Sequence, residues 1–280
     1  MAQRESEHPH VMVGGFSTIS CTRTELAELL LADCLQARQQ GESWLPKLVF
    51  SSNGQGVALA GRSPKFMGIM SQADIVHADG MPVVFASRMT GAPLPERIPT
   101  TDFFHDAATI AARNDLRFFM LGAEDEQNAA AVAAVQRMYP DLDVVGRHHG
   151  YFDEDEDADV CAMIRESRAD VVWIALGKPR QEEWCLRNRQ RLRGVGWLKT
   201  CGGLYSFLAG DVPRAPLWMQ KAGLEWLFRL LGDPKRLAWR YLSTNPYALY
   251  RLARFTGKRP SFRLDGQSSE DRVHPPGGSR

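Results

Sequence analysis

Val171-Val172-Trp173-Ile174-Ala175-Leu176 runs directly into Gly177-Lys178-Pro179, and how this stretch is read decides the fold. Six apolar residues in a row lack the alternation of a half-solvated strand, so they fit a parallel strand buried on both faces. Gly-Lys-Pro then ends the strand in a turn that leads to a helix.

The same unit recurs on either side. Leu48-Val49-Phe50 enters Ser51-Ser52-Asn53-Gly54, and Ile75-Val76-His77-Ala78 enters Asp79-Gly80-Met81-Pro82. Arg117-Phe118-Phe119-Met120-Leu121 enters Gly122-Ala123, and the run 195–200 stops at Cys201-Gly202-Gly203. Alternation of such runs with helical segments predicts an α/β fold, a doubly wound, mainly parallel Rossmann-like sheet with helices on both faces. Ligands of these sheets bind beyond the carboxyl ends of the strands, so the five turns are the expected site walls.

Past residue 213 only helices are expected: one over 216–231, one opened by Asp233-Pro234 and one opened by Asn245-Pro246, each pair an N-cap followed by N1. The expected organisation is a flexible start over 1–10, an α/β domain over 11–213, a helical appendage over 214–258 and a disordered tail over 259–280. The acidic run 153–159 lacks EF-hand spacing and reads as a solvated loop.

With 280 residues, 44% of them hydrophobic, the chain can bury a full core. Its net charge of +1 offers no global basic field, so no nucleic-acid partner is expected. The charge is uneven. Over 214–259 ten Lys/Arg oppose only Glu225 and Asp233, a local +8 that leaves −7 for the rest. Trp218, Trp226, Phe228, Trp239, Tyr241, Tyr247, Tyr250 and Phe255 alternate with those cations, a mixture suited to a layer of anionic lipid headgroups. A helical subdomain with buried rings and solvated cations reads equally well. Five cysteines without a CxxC suggest neither a zinc cluster nor a disulfide framework, and a reducing compartment fits. No stretch reaches the ~18 apolar residues of a membrane span, and 1–10 has no apolar core of a signal peptide. The expectation is a cytoplasmic, peripheral protein.

Asp79 stands out chemically, because a carboxylate on a turn at the mouth of a parallel sheet can take a proton from a bound hydroxyl. Asp-Gly can also be a plain turn. Ser51, Ser52 and Asn53 can hold sugar hydroxyls or simply cap the next helix. Gly177-Lys178-Pro179-Arg180-Gln181-Glu182 puts two cations and an amide at a helix start, where phosphate is welcome, although the chain has neither a Walker A loop nor GxGxxG. Arginines of the appendage can clamp a pyrophosphate bidentately. His77 reads as a core residue at a strand end. With no Asp-x-Asp after an apolar strand, no metal and no cofactor are expected.

In these residues the sequence resembles the WecG/TagA/CpsF family of glycosyltransferases over roughly 11–255. The blocks that carry the likeness are Ala78-Asp79-Gly80-Met81-Pro82-Val83-Val84 with Pro93-Leu94-Pro95-Glu96-Arg97, then Gly177-Lys178-Pro179-Arg180-Gln181-Glu182, then Ala209-Gly210 with Pro213-Arg214-Ala215-Pro216. Glu225-Trp226-Leu227-Phe228-Arg229 and Asp233-Pro234-Lys235-Arg236 complete them. The resemblance implies an inverting, metal-independent transfer of a hexose or N-acetylhexosamine, or its uronic acid, from a UDP-sugar to a sugar-pyrophosphoryl-polyprenol in bacterial surface-glycan synthesis. It makes Asp79 the catalytic base, sets Ser51 where many members carry Thr, brings Gln181 near the nucleotide, and gives Arg229, Arg236 and Arg240 to an appendage that closes over the site at the membrane. The turns and blocks together make the expected substrate contacts Ser51, Asn53, Gly80, Arg97, Lys178, Gln181, Gly202, Gly203, Arg214, Arg229, Arg236 and Arg240. Two departures from the family stand out: Ser206, where relatives commonly carry Asp, and Trp239, at an often basic position. Two other classes stay open, a nicotinamide-dependent nucleotide-sugar oxidoreductase and a non-catalytic membrane assembly protein. Self-association through apolar surface is a further expectation.

Overall fold

The computed structural model describes residues 8–257. The expected tail over 259–280 and most of the start over 1–10 lie outside the described residues. The chain opens with a hairpin, β1 (His10–Val13) and β2 (Phe16–Ile19), followed by α1 (Arg23–Gln40). Next come β3 (Lys47–Ser52), α2 (Gly54–Arg62), α3 (Pro64–Met70), β4 (Ile75–Ala78), α4 (Met81–Ser87) and α5 (Thr100–Ala112). The second half contributes β5 (Arg117–Gly122), α6 (Asp125–Met138), β6 (Asp143–His148), α7 (Asp157–Glu166), β7 (Val171–Ala175), α8 (Arg180–Asn188), β8 (Trp197–Thr200) and α9 (Leu204–Leu208). Three helices finish the described chain: α10 (Leu217–Lys221), α11 (Glu225–Gly232) and α12 (Pro234–Phe255).

Six strands form one parallel sheet in the order β4-β3-β8-β7-β5-β6. The uninterrupted apolar runs serve two cores at once. Along β7, Val171, Trp173 and Ala175 face the core of α1, α5, α6 and α9, whereas Val172 and Ile174 face that of α2, α3, α4, α7 and α8. Period-two alternation thus hides inside a continuous run because both faces are covered. β8, last in sequence, inserts between β3 and β7, so the tips of β3, β8 and β7 lie side by side.

Three local expectations are corrected. The helix foreseen over 216–231 is broken into α10 and α11, with Gly223 at φ +74° in the turn between them. Pro246 opens no helix: α12 runs through it, since Ala248 and Leu252 are buried and Tyr247 donates to the Gly61 carbonyl of α2 at 3.1 Å. Packing outweighs the lost amide donor here. A methyl group on Gly61 would lie 2.3 Å from Arg251 and 2.7 Å from Tyr247, so only glycine lets α12 approach so closely. The acidic run is not all solvated loop, because Asp157 is buried and accepts from Trp184 at 2.8 Å, Arg187 at 2.6 Å and Asn188 at 2.9 Å.

An ionic lock closes the amino end of the sheet. Buried Asp170 accepts from Arg38 Nε and Nη2, both at 2.7 Å, and from the Arg117 backbone amide at 2.7 Å. Burial pushes its carboxyl up, but hydrogen bonds from Arg38 and Arg117 outweigh that and hold it below the ordinary value. A depressed carboxylate stabilises the fold at neutral pH and loses that contribution as pH falls through its folded value. Asp170→Asn is expected to cost about 2 kcal/mol in denaturant unfolding at pH 7. Its turnover per folded molecule should stay at the wild-type level, because the lock sits at the end of the sheet opposite the cleft.

Candidate active site

A cleft of about 870 Å³ opens beyond the carboxyl ends of the strands. Its wall takes residues from all five turns singled out in the sequence: Ser51 and Asn53, Asp79, Ala123, Gly177 and Lys178, and Cys201 to Gly203. α9 and α11 close the other side with Ser206, Phe207, Phe228 and Arg229.

Asp79 lies just past the tip of β4, half-buried. Oδ1 accepts the Thr100 backbone amide at 3.0 Å, and Oδ2 accepts Asn53 Nδ2 at 3.3 Å. Asn53 is both cap and site residue, since its Oδ1 accepts the Gly56 amide at 3.0 Å and starts α2. The Asp79 carboxylate is therefore aimed by neutral donors, and no ion pair holds it among the described residues.

Arg97 ties the turn after β4 to α11. Its Nε donates to the Asp79 carbonyl at 2.7 Å and its Nη2 to Glu225 Oε2 at 2.7 Å. The other Glu225 oxygen takes Arg229 Nη2 at 2.8 Å. Burial raises the Glu225 carboxyl, yet Arg97 and Arg229 prevail and keep it below the usual carboxylate range. One buried glutamate thus gathers two arginines at the cleft wall.

The start of α8 is arranged differently from a free phosphate cradle. Lys178 Nζ donates to Glu182 Oε1 at 2.6 Å and to the Ser51 carbonyl at 3.1 Å, while Arg180 donates to the carbonyls of Gly150 and Phe152. Both cations are already engaged by the protein. Gln181 spans the gap to the last strand, accepting the Gly202 amide at 3.1 Å and donating to Glu182 at 2.9 Å.

Nine of the expected residues line the cleft: Ser51, Asn53, Asp79, Arg97, Lys178, Gln181, Gly202, Gly203 and Arg229. Gly80 and Arg214 do not. Gly80 caps α4, and a methyl group there would lie 3.3 Å from the Asn53 Cα. Arg214 is pinned by Asp102 at 2.6 Å and Gln220 at 2.8 Å. The side chains of Arg236 and Arg240 lie outside the described residues. His77 is fully buried, its Nδ1 3.1 Å from the Ile98 carbonyl; burial first, and Lys199 next, hold it well below its ordinary pKa, so the ring is neutral. Cys201, in the cleft floor, is pushed up to about 12 by burial and is a protonated thiol, not a nucleophile. Asp153, Asp155 and Glu156 lie close enough together to suggest a cation, but they are exposed, form part of a capping box and do not line the cleft.

Sequence reasoning missed Thr100, Glu225 and the polar wall of Gln127 and Asp211. Gln127 Nε2 donates to Asp211 at 2.7 Å, and Ser206 Oγ lies 3.4 Å from Gln127. Glu225 was visible as one of two acids in a basic stretch and as the first residue of a family block, but no local pattern linked it to Arg97, 128 positions away.

The chain matches the model of the glycosyl transferase WecG/TagA/CpsF family over residues 13–261. Relatives from Staphylococcus aureus strains MW2 and NCTC 8325 are each 32% identical to it over 206 residues, covering 74% of this chain and 79% of theirs. Both are named N-acetylglucosaminyldiphosphoundecaprenol N-acetyl-beta-D-mannosaminyltransferase. The family match sets aside the oxidoreductase and the non-catalytic assembly protein, both open from the sequence, in favour of a glycosyltransferase. On this match the chain belongs to the WecG/TagA/CpsF family of glycosyltransferases.

Proposed function

We propose that the protein is an inverting, metal-independent glycosyltransferase that moves a hexose or N-acetylhexosamine from a UDP-sugar to a saccharide on polyprenyl diphosphate. The observation that carries this reading is the Asp79 carboxylate, held by Thr100 and Asn53 at a cleft shared with Arg97 and Arg229. Asp79 removes the proton of the acceptor hydroxyl, whose oxygen bonds to the anomeric carbon from the face opposite the nucleotide. The bond from that carbon to the diphosphate breaks, and UDP leaves with the electron pair. Arg97 and Arg229 neutralise the departing charge, the service a divalent cation gives elsewhere. The names of the Staphylococcus relatives make N-acetylmannosamine the first donor sugar to test and an N-acetylglucosaminyl-diphosphate lipid the first acceptor. Incubation with a panel of UDP-sugars and synthetic glycosyl-diphospho-lipids should give one product of inverted anomeric configuration. Retained configuration would exclude single displacement, and no transfer with any donor would exclude the reading.

The appendage supports a peripheral membrane site at the inner face of the cell membrane. Trp218 is 65% and Trp239 79% exposed, and Leu217, Leu231, Leu242 and Tyr250 join them on α10 to α12. Such rings beside a local +8 fit anionic headgroups, worth ~1 kcal/mol per cation near the surface. No helix among the described residues is long and apolar enough to cross a membrane. Trp218→Ser and Trp239→Ser should each weaken co-sedimentation with anionic liposomes about tenfold. Unchanged binding, with a dimer mass in solution, would point to a second copy of the chain as the occupant of this face.

A further inference from the structure

A chain of contacts leads away from Asp79 along one wall of the cleft. Arg97, bonded to the Asp79 carbonyl, shares Glu225 with Arg229, and the Arg229 guanidinium lies 4.8 Å from the centre of the Phe207 ring. Beside Phe207 on α9, Ser206 Oγ is 3.4 Å from Gln127 Oε1, and Gln127 Nε2 donates to Asp211 Oδ2 at 2.7 Å. Every residue of this chain lines the cleft. It also runs across the sheet: Asp79 follows β4, Gln127 stands in the first turn of α6 after β5, and β4 and β5 are four steps apart in the strand order. Four strand spacings amount to about 19 Å. The cleft is therefore long, with the candidate base at one end and Asp211 at the other.

The far end has its own chemistry. Asp211 is exposed on the turn after α9, where Gly210 at φ +85° bends the chain and the Asp211 amide donates to the Ser206 carbonyl at 2.9 Å. Ser206 stands where relatives commonly carry Asp, so the carboxylate of this wall comes from Asp211. Gln127 holds one of its oxygens, and the other has no partner among the described residues. A carboxylate offers acceptors and no donor, so a ligand group placed here must bring its own O–H or N–H. A diphosphate, anionic and all acceptor, is repelled and belongs beside Arg229 in the middle of the cleft. We propose that Asp211, aimed by Gln127, is a specificity-determining residue that accepts from the two ribose hydroxyls of the UDP donor. The donor then lies along the cleft, its anomeric carbon by Asp79, its diphosphate by Arg229 and its ribose by Asp211. The inference rests on the UDP-donor reading above and deepens it. Two neighbouring hydroxyls suit a carboxylate, because both can point at one pair of oxygens. The uracil edge fits worse, since its single N–H is flanked by two carbonyls that the carboxylate repels. A nucleotide lacking one hydroxyl would leave part of the desolvated carboxylate unpaired, and that cost is the source of the selectivity.

Calorimetric titration of the full chain with UDP, 2′-deoxy-UDP and CDP tests this. The wild-type protein should bind UDP about tenfold more tightly than 2′-deoxy-UDP, and Asp211→Ala should bind the two alike. A residue that merely supported the wall would weaken both nucleotides and leave their ratio unchanged, so the ratio reads the contact itself. Gln127→Leu keeps the carboxylate but loses its aim, and its ratio should fall between the two. CDP carries the same ribose without the uracil N–H, so Asp211→Ala should weaken CDP by the same factor as UDP. A loss confined to UDP would assign Asp211 to the base and overturn the proposal. A wild-type ratio near one would also overturn it, with the UDP-donor reading intact and no variant needed. A tenfold ratio that survives in Asp211→Ala would remove Asp211 from the contact, and one that survives in Gln127→Leu would remove the aiming role. Wild-type protein that binds no UDP would overturn the donor reading and this inference together.

Discussion

Asp79→Asn should lower kcat by about 10²–10⁴-fold, with UDP affinity changed far less. Asn is nearly isosteric but cannot accept the acceptor's proton, so the loss belongs to the chemical step. Geometry adds a second cost. Both Asp79 oxygens accept, one from the Thr100 amide and one from Asn53 Nδ2, so an amide at residue 79 must turn its NH₂ towards one of two donors. Asn53 cannot flip to accommodate it without giving up the cap on the Gly56 amide. A stability loss of about 1 kcal/mol therefore accompanies the lost rate, and thermal melting separates the two. Asp79→Ala has no such donor clash, and its rate should fall as far. Wild-type turnover in a folded Asp79→Ala protein would end the assignment.

How far this site was legible in the sequence depended on the range of the interactions involved. Asp79, Asn53 and Gln181 follow strands whose apolar runs are unmistakable, and the rule that ligands meet strand ends then points to them without any contact being known. Arg97 was marked only by the family block that contains it, whereas Thr100 and Glu225 act through pairings across 21 and 128 positions, which no period or motif encodes. The β1–β2 hairpin was readable but unread: Gly14 and Gly15, at φ +61° and +96°, form the glycine pair that a two-residue turn demands. Pro246 misled for the opposite reason. A local rule for helix starts was applied where the buried face of α12 against α2 decides the conformation.

Arg97→Met should cost about 3 kcal/mol and reduce kcat/KM by about 10² or more. The substitution leaves Glu225, whose side chain is 11% exposed, with Arg229 alone, and releases the Asp79 carbonyl from its 2.7 Å contact. The pH dependence follows from the sign of the Glu225 shift. Its depressed folded pKa stabilises the wild-type protein above the ordinary carboxylate value, and the contribution fades as pH falls through the lower folded value. Without Arg97 the folded value rises, so acid unfolding should begin at higher pH. Arg97→Met combined with Glu225→Leu tests which role dominates. Replacing both members of a buried pair by apolar groups removes the unpaired charge and should return most of the stability. It cannot return the cation assigned to the leaving diphosphate in the proposed transfer, so turnover should remain low although the fold is restored. A double variant that recovers both would reduce Arg97 to a packing element and shift the whole burden of charge neutralisation onto Arg229.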